Sequence, residues 1–325
     1  MPAKKNTYSA TLDLVCTPIP NNLVSHIARN KDAESILRGS DFYMIAGRAQ
    51  ASFADFDFDK ETGLLHFSIE VAGGKADSGT IDVFRLCIDK SIPDGWNLGI
   101  RPEKTQIGIF IQETAEDEAK LIQAFIPEDV LMRRGRKETF IRGFDSYLEL
   151  ATYDLLYVGI AKVGDTYDRL FAKAHDARTR ILSDEPQRFP GARVSDEIYL
   201  FAFKVEPLLM RVFTGDDEIE DSDMDFSYDS KRLVADAEKA MVSLLKPQYN
   251  RKLYPSYPKG RDGLYKTGLT SYSYAISEGM AFRTAYGTIK GGRERDITIS
   301  NEADFIMVQG DEVSFRISGV DFQVR

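Results

Sequence analysis

The sequence predicts an α+β protein in which β-rich segments at both ends flank a middle third of strands and two helices. Three observations predict it. Residues 64–71 and 80–88 alternate apolar and polar at period two, the mark of a half-buried strand. Residues 230–245 open on a serine suited to cap a helix and stop before Pro247. From residue 281 onward short strands recur between turns at Gly291-Gly292 and Gly310-Asp311.

In chain order, residues 1–135 read as a β-rich domain for recognition or regulation. Helices are expected over 21–37 and 116–125, strands over 64–71, 80–88 and 106–111, and turns at Gly73-Gly74 and Pro93-Asp94-Gly95. Met132 to Lys137 carries four cations and reads as a domain edge. Arg133 and Arg134 would hold phosphates if that edge faced a cleft. A second domain, 136–262, is expected to pair strands 140–150 and 155–161 in a hairpin. A helix over 166–182, a strand over 197–205 and the 230–245 helix complete it. Apolar residues on both faces of 197–205 mark a strand inside a core. The last segment, 263–325, reads as a small β-rich unit with strands over 281–289, 296–300, 304–309 and 312–317.

The chain has 325 residues, 43% apolar and 29% charged, a globular composition with ample core material. Cys16 and Cys87 make neither a zinc site nor a disulfide framework and fit a reducing cytosol. The first residues have no following apolar run, and no stretch approaches the ~18 apolar residues of a membrane span. The expectation is a cytoplasmic protein without a membrane partner. A net charge of −9 argues against strong nonspecific binding to nucleic acid but leaves room for a local basic surface. The acidic run from Asp216 to Asp225 reads as a solvated loop or, more sharply, as a flap that mimics a phosphate backbone.

The chemistry-bearing residues are concentrated in the middle. Tyr157-Val158-Gly159 ends an apolar strand at a glycine turn. Arg169 and His175 follow on an expected helix, Glu238 lies on the next, and Asn250 comes just after Pro247. Singly, each has an ordinary structural reading: a core tyrosine, surface charges, a structural histidine. Their joint order is what carries meaning. Over residues 140–255 the arrangement resembles the GIY-YIG endonuclease superfamily. That resemblance implies a three-stranded sheet with helices, a tyrosine on each strand of a hairpin, an arginine on the first helix and a glutamate on the second. It departs at the first motif, because no Gly-x-Tyr precedes Tyr157. Tyr147 is the first candidate for that tyrosine and Tyr153 the second.

The resemblance implies a divalent-metal-dependent endonuclease acting on DNA, with RNA the alternative, in restriction or defence against foreign DNA. Glu238 would hold Mg²⁺ or Mn²⁺, hard ions that keep several waters. Tyr147 or Tyr157 would assist the attacking water, Arg169 would meet the scissile phosphate with its planar fork, and His175 would relay a proton. Asn250, Arg251 and Lys252 lie in a stretch, Gln248 to Arg261, of cations interleaved with aromatics, a pattern suited to phosphates and bases, and Asn250 would otherwise fix the loop after the helix or bond to a tyrosine. Two-strand cutting by one active site would call for a homodimer. A regulatory ligand or protein at the N-terminal domain stays open. Two rivals remain at this stage: an inactive nucleic-acid-binding module on the same fold, and a protein-interaction module to which the acidic charge would belong.

Overall fold

The computed structural model describes residues 5–92, 95–114, 116–161, 165–172, 175–212 and 228–322. The expected acidic flap at 216–225 lies outside the described residues.

The chain is mixed α and β, built on one large sheet of ten strands with two smaller sheets and short helices around it. The middle of the large sheet is the strand Phe42–Gly47, all six residues of which are buried. It pairs antiparallel with Thr152–Ile160 on one side and Ile198–Val212 on the other. Beyond Ile198–Val212 come Lys5–Leu14, then Ser271–Ile276, Phe305–Gln309 and Glu312–Arg316. Beyond Thr152–Ile160 come Ala281–Thr284 and Gly287–Lys290. The sheet thus takes strands from the N-terminal, middle and C-terminal segments alike and does not follow the expected boundaries at 135 and 262. A strand with both faces buried must have neighbours on both edges as well. Phe42–Gly47 finds them far along the chain.

Thr152–Ile160 therefore pairs with Phe42–Gly47 rather than with residues 140–150. Within that stretch, Ile141–Gly143 joins a four-stranded sheet beside Ala76–Asp82, and Tyr147–Leu150 is a helical turn. Gly143 has φ +74°, and a β-carbon there would lie 2.7 Å from Gly79 Cα, so two backbones cross at a place only glycine allows. Other local readings change similarly. Residues 80–88 end their strand at Asp82, which caps the helix Val83–Asp89 by accepting the Arg85 N–H. Lys120–Phe125 is a strand of the three-stranded sheet rather than a helix.

The two faces of Phe42–Gly47 feed two cores. Phe42, Met44 and Ala46 pack into the larger one, which includes Leu233, Ala237 and Met241 of the helix Ser230–Leu245. Tyr43 and Ile45 pack into the smaller one with Leu170, Ile181 and Tyr249. The neighbouring strand changes faces midway. Tyr153 and Leu155 belong to the larger core, and a bulge between Leu155 and Tyr157 then sets Leu156 and Tyr157 against the smaller one. In a regular strand Tyr153 and Tyr157 would share a face. The extra residue of the bulge puts Tyr157 on the face of Tyr43.

Candidate functional site

Tyr43 and Tyr157 stack across the strand pair, ring centroids 6.0 Å apart. Gly159 pairs directly with Tyr43. A β-carbon on Gly159 would lie 2.6 Å from the Tyr43 hydroxyl and 2.7 Å from the Tyr157 ring, so the absent side chain is the space those rings occupy. The glycine of Tyr157-Val158-Gly159 has a local steric reason here.

Arg169 comes from a π-helical turn, Asp168–Ala172, a distortion often found at functional sites. Arg38, on the helix Lys31–Arg38, holds this turn through Asp165 at 2.5 Å and Asp168 at 3.3 Å. The Tyr167 hydroxyl adds a bond to the Ala28 carbonyl at 2.9 Å. Arg169 Nε donates to the Tyr43 hydroxyl oxygen at 2.8 Å. His175 is not inside a long helix as expected. It caps the next helix, Asp176–Asp184, where its Nδ1 accepts the Arg178 N–H at 3.1 Å. That bond fixes the tautomer: Nε2 carries the proton and donates to the Tyr43 oxygen at 2.9 Å. Burial, then the charges of Arg169 and Arg178, push the His175 pKa down to about 4. The ring is neutral at pH 7, and it orients Tyr43 with the nitrogen expected to relay a proton. Burial pushes the Tyr43 phenol well above the ordinary tyrosine value.

Asn250 clamps the free edge of the Tyr157 strand. Its side-chain oxygen accepts the Val158 N–H at 2.9 Å and its amide donates to the Val158 carbonyl at 2.8 Å. Tyr249 adds its own N–H to the Leu156 carbonyl at 3.0 Å and its hydroxyl to Glu185 at 2.9 Å. The segment after Pro247 is thereby laid along the strand. The Asn250 amide is spent on backbone, which makes it a positioning group for the segment after the helix, and the residue also lines the cavity described next.

These elements enclose a cavity of about 480 Å³ lined by Tyr157, Arg169, His175, Glu238, Asn250 and neighbouring residues. Arg251, Lys252 and Arg180 line it, as do Asp168 and Asp176. Cations thus face an opening in a chain of net charge −9. Glu238 is nearly buried, and its carboxylate accepts the Tyr254 hydroxyl at 3.3 Å. No group of three or more His, Cys, Asp or Glu side chains set to hold a metal occurs among the described residues. Glu238 offers hard oxygen donors in an open, polar cavity, which fits an ion that keeps most of its water shell, Mg²⁺ or Mn²⁺.

Four expected site residues lie elsewhere. Tyr147 sits on its short helix with its ring under the Arg134 guanidinium, 5.2 Å away. Tyr153 is buried on the other face of the strand against Tyr199 and Arg48. Arg133 is bound to Asp129 and Glu138 at 3.1 and 3.0 Å. Arg134 donates to the Gly143 carbonyl at 2.6 Å. Both arginines stand in the last turn of their own helix, Pro127–Gly135; Arg133 bonds to Asp129 within it, and both bond to residues of the segment after it. Tyr43 is the residue that sequence reasoning missed. Its one signal is a tyrosine within the apolar run Phe42–Gly47.

Comparison with protein-family models, with curated proteins and with solved structures gives no match.

Proposed function

We propose that the chain is a divalent-metal-dependent endonuclease that hydrolyses phosphodiester bonds of DNA at the cavity beside Tyr157. One observation carries the reading: Tyr157, Arg169, His175 and Glu238, expected from sequence to act together, line a single cavity, with Tyr43 bonded to two of them. The strand pair with a tyrosine on each member supports the GIY-YIG resemblance. Phe42–Gly47 takes the role expected of Tyr147's segment.

In hydrolysis a water oxygen bonds to phosphorus as its proton departs. The bond from phosphorus to the sugar oxygen breaks, and that oxygen takes up a proton. Tyr43 Oη already accepts from Arg169 and His175, so its own hydrogen is the one left to offer. Its raised pKa keeps that hydrogen in place, so Tyr43 donates to a phosphate or water oxygen and fixes its position. Tyr157 is then the tyrosine left to orient the attacking water and relay its proton, accepting it at the phenol oxygen as its own hydrogen passes to bulk water, with the Arg169 guanidinium near its hydroxyl. Arg169 commits Nε to Tyr43 and keeps terminal N–H groups for the phosphate. A divalent ion held by Glu238 would supply Lewis-acid polarisation of the phosphate and a more acidic water.

The test is incubation of supercoiled plasmid, linear DNA and structured RNA with Mg²⁺ or Mn²⁺, comparing the wild type with Glu238→Ala. Cutting by the wild type that EDTA and the substitution both abolish is the expected result. A folded wild type that cuts none of these substrates with either ion overturns the reading.

A further inference from the structure

We propose that a groove leading from the candidate site, past Asn250 to the hairpin turn at Ala285-Tyr286, binds the unpaired continuation of the nucleic-acid strand being cut. This rests on the nuclease reading and extends it to a substrate class: nucleic acid with a single-stranded arm.

Three cavities adjoin along this path. The candidate site, about 480 Å³, shares Asn250 with a second cavity of about 650 Å³. The second shares Asp154, Arg188 and Arg283 with a third of about 540 Å³. Cations mark the path. Arg251 and Lys252 are exposed at the first cavity, and Lys246 lines the second. None of the three has an ion-pair partner among the described residues, so each is available to a phosphate. The carboxylate at the junction, Asp154, is answered by Arg188 at 3.3 Å and Arg283 at 2.6 Å. Arg188 still holds one buried guanidinium nitrogen, Nη1, without a partner. An anion at that end would satisfy it.

An aromatic platform distinguishes a single strand from a duplex. Tyr286 is 64% exposed on the two-residue turn between Ala281–Thr284 and Gly287–Lys290. It lines the second cavity, and the Lys246 ammonium sits 4.6 Å from its ring centre. The ammonium lies over one face of this exposed ring, so a base would stack on the other with its phosphate near the cation, and base faces are available only where the strand is unpaired.

The experiment is fluorescence anisotropy of the full chain in EDTA. The probes are labelled single-stranded DNA and RNA of about 12 nucleotides and a blunt DNA duplex. The expected result is single-strand binding at least about tenfold tighter than duplex binding. Tyr286→Ser should weaken it about tenfold and leave duplex binding unchanged. Lys246→Ala should lower the salt dependence by about one counterion. Circular dichroism checks that the variants fold. The stronger of the DNA and RNA arms identifies the sugar. Equal binding of duplex and single strand, or wild-type affinity in folded Tyr286→Ser, overturns the proposal. Cleavage plays no part in the readout. Binding that persists in a chain that cuts nothing sinks the nuclease reading and leaves the groove standing.

Discussion

Two regions meet at the candidate site and announce themselves differently in the sequence. The stretch from Tyr157 to Tyr254 brings a strand, helix turns and a capped helix, with His175 at a helix N-cap and Asn250 just past a helix end. The strand Phe42–Gly47 brings one hydroxyl inside a run of buried residues and looks like core alone. The difference teaches that a polar group of a site is legible when it interrupts an apolar pattern and hidden when its own ring completes that pattern. Tyr43 does both jobs: its ring packs in the smaller core while its hydroxyl accepts from Arg169 and His175.

The sharpest way to break this comparison is Gly159→Ala, at the point where the two regions touch. The new methyl cannot coexist with the Tyr43 and Tyr157 rings where they stand. Displacing catalytic groups by about 1 Å costs on the order of a hundredfold in rate. Cleavage is therefore expected to fall by that order. Retention of wild-type cleavage would remove the stacked tyrosines from the account.

Asn250→Ala tests the edge clamp. It leaves the Val158 N–H and carbonyl without their partner, a loss of about 1–3 kcal/mol if water does not replace it. Urea unfolding reads this directly, and an unchanged midpoint would mean that the strand edge does not need the clamp.

A smaller effect separates two pairs of cations that the sequence treats alike. Lys252→Ala should weaken DNA binding and reduce its salt dependence by about one counterion. Arg133→Ala should change stability and leave binding intact, because Arg133 is already paired with Asp129 and Glu138. Equal binding losses in the two variants would return Arg133 to the interface.

The last test is a titration. His175 holds its proton less tightly in the folded protein, about 4 against 6.5 for a free ring. As pH falls below 6.5 the unfolded chain takes up that proton first. The His175 contribution to stability is therefore present above pH 6.5 and lost as pH falls toward 4. Asp41, pushed up to about 6 by burial, works in the opposite sense from its ordinary 3.8. The difference between the wild type and His175→Gln isolates the histidine. NMR of the ring should show no protonation until near pH 4, and a midpoint near 6.5 would contradict the buried, donor-fixed geometry.

The elements readable from sequence were those with a local cause. The helix Ser230–Leu245 ran between a capping position and Pro247, though Asp229 rather than Ser230 provides the cap. The strands Leu64–Val71, Ile107–Gln112 and Glu312–Arg316 followed their alternation and turns. What failed was long-range pairing. Nothing local says that Thr152–Ile160 pairs with a strand far upstream, or that a bulge separates the faces of Tyr153 and Tyr157. Tyr147 was a reasonable candidate by distance along the chain, and the sheet order removes it.

The measurement that tests the central claim most directly is metal-dependent DNA cleavage by Tyr43→Phe and Tyr147→Phe, side by side with the wild type. Removing the Tyr43 hydroxyl should lower cleavage about a hundredfold or more, the usual cost of losing one positioned donor. Tyr147→Phe should cut as the wild type does. Wild-type cleavage by Tyr43→Phe, with loss in Tyr147→Phe, would contradict the site built on the central strand.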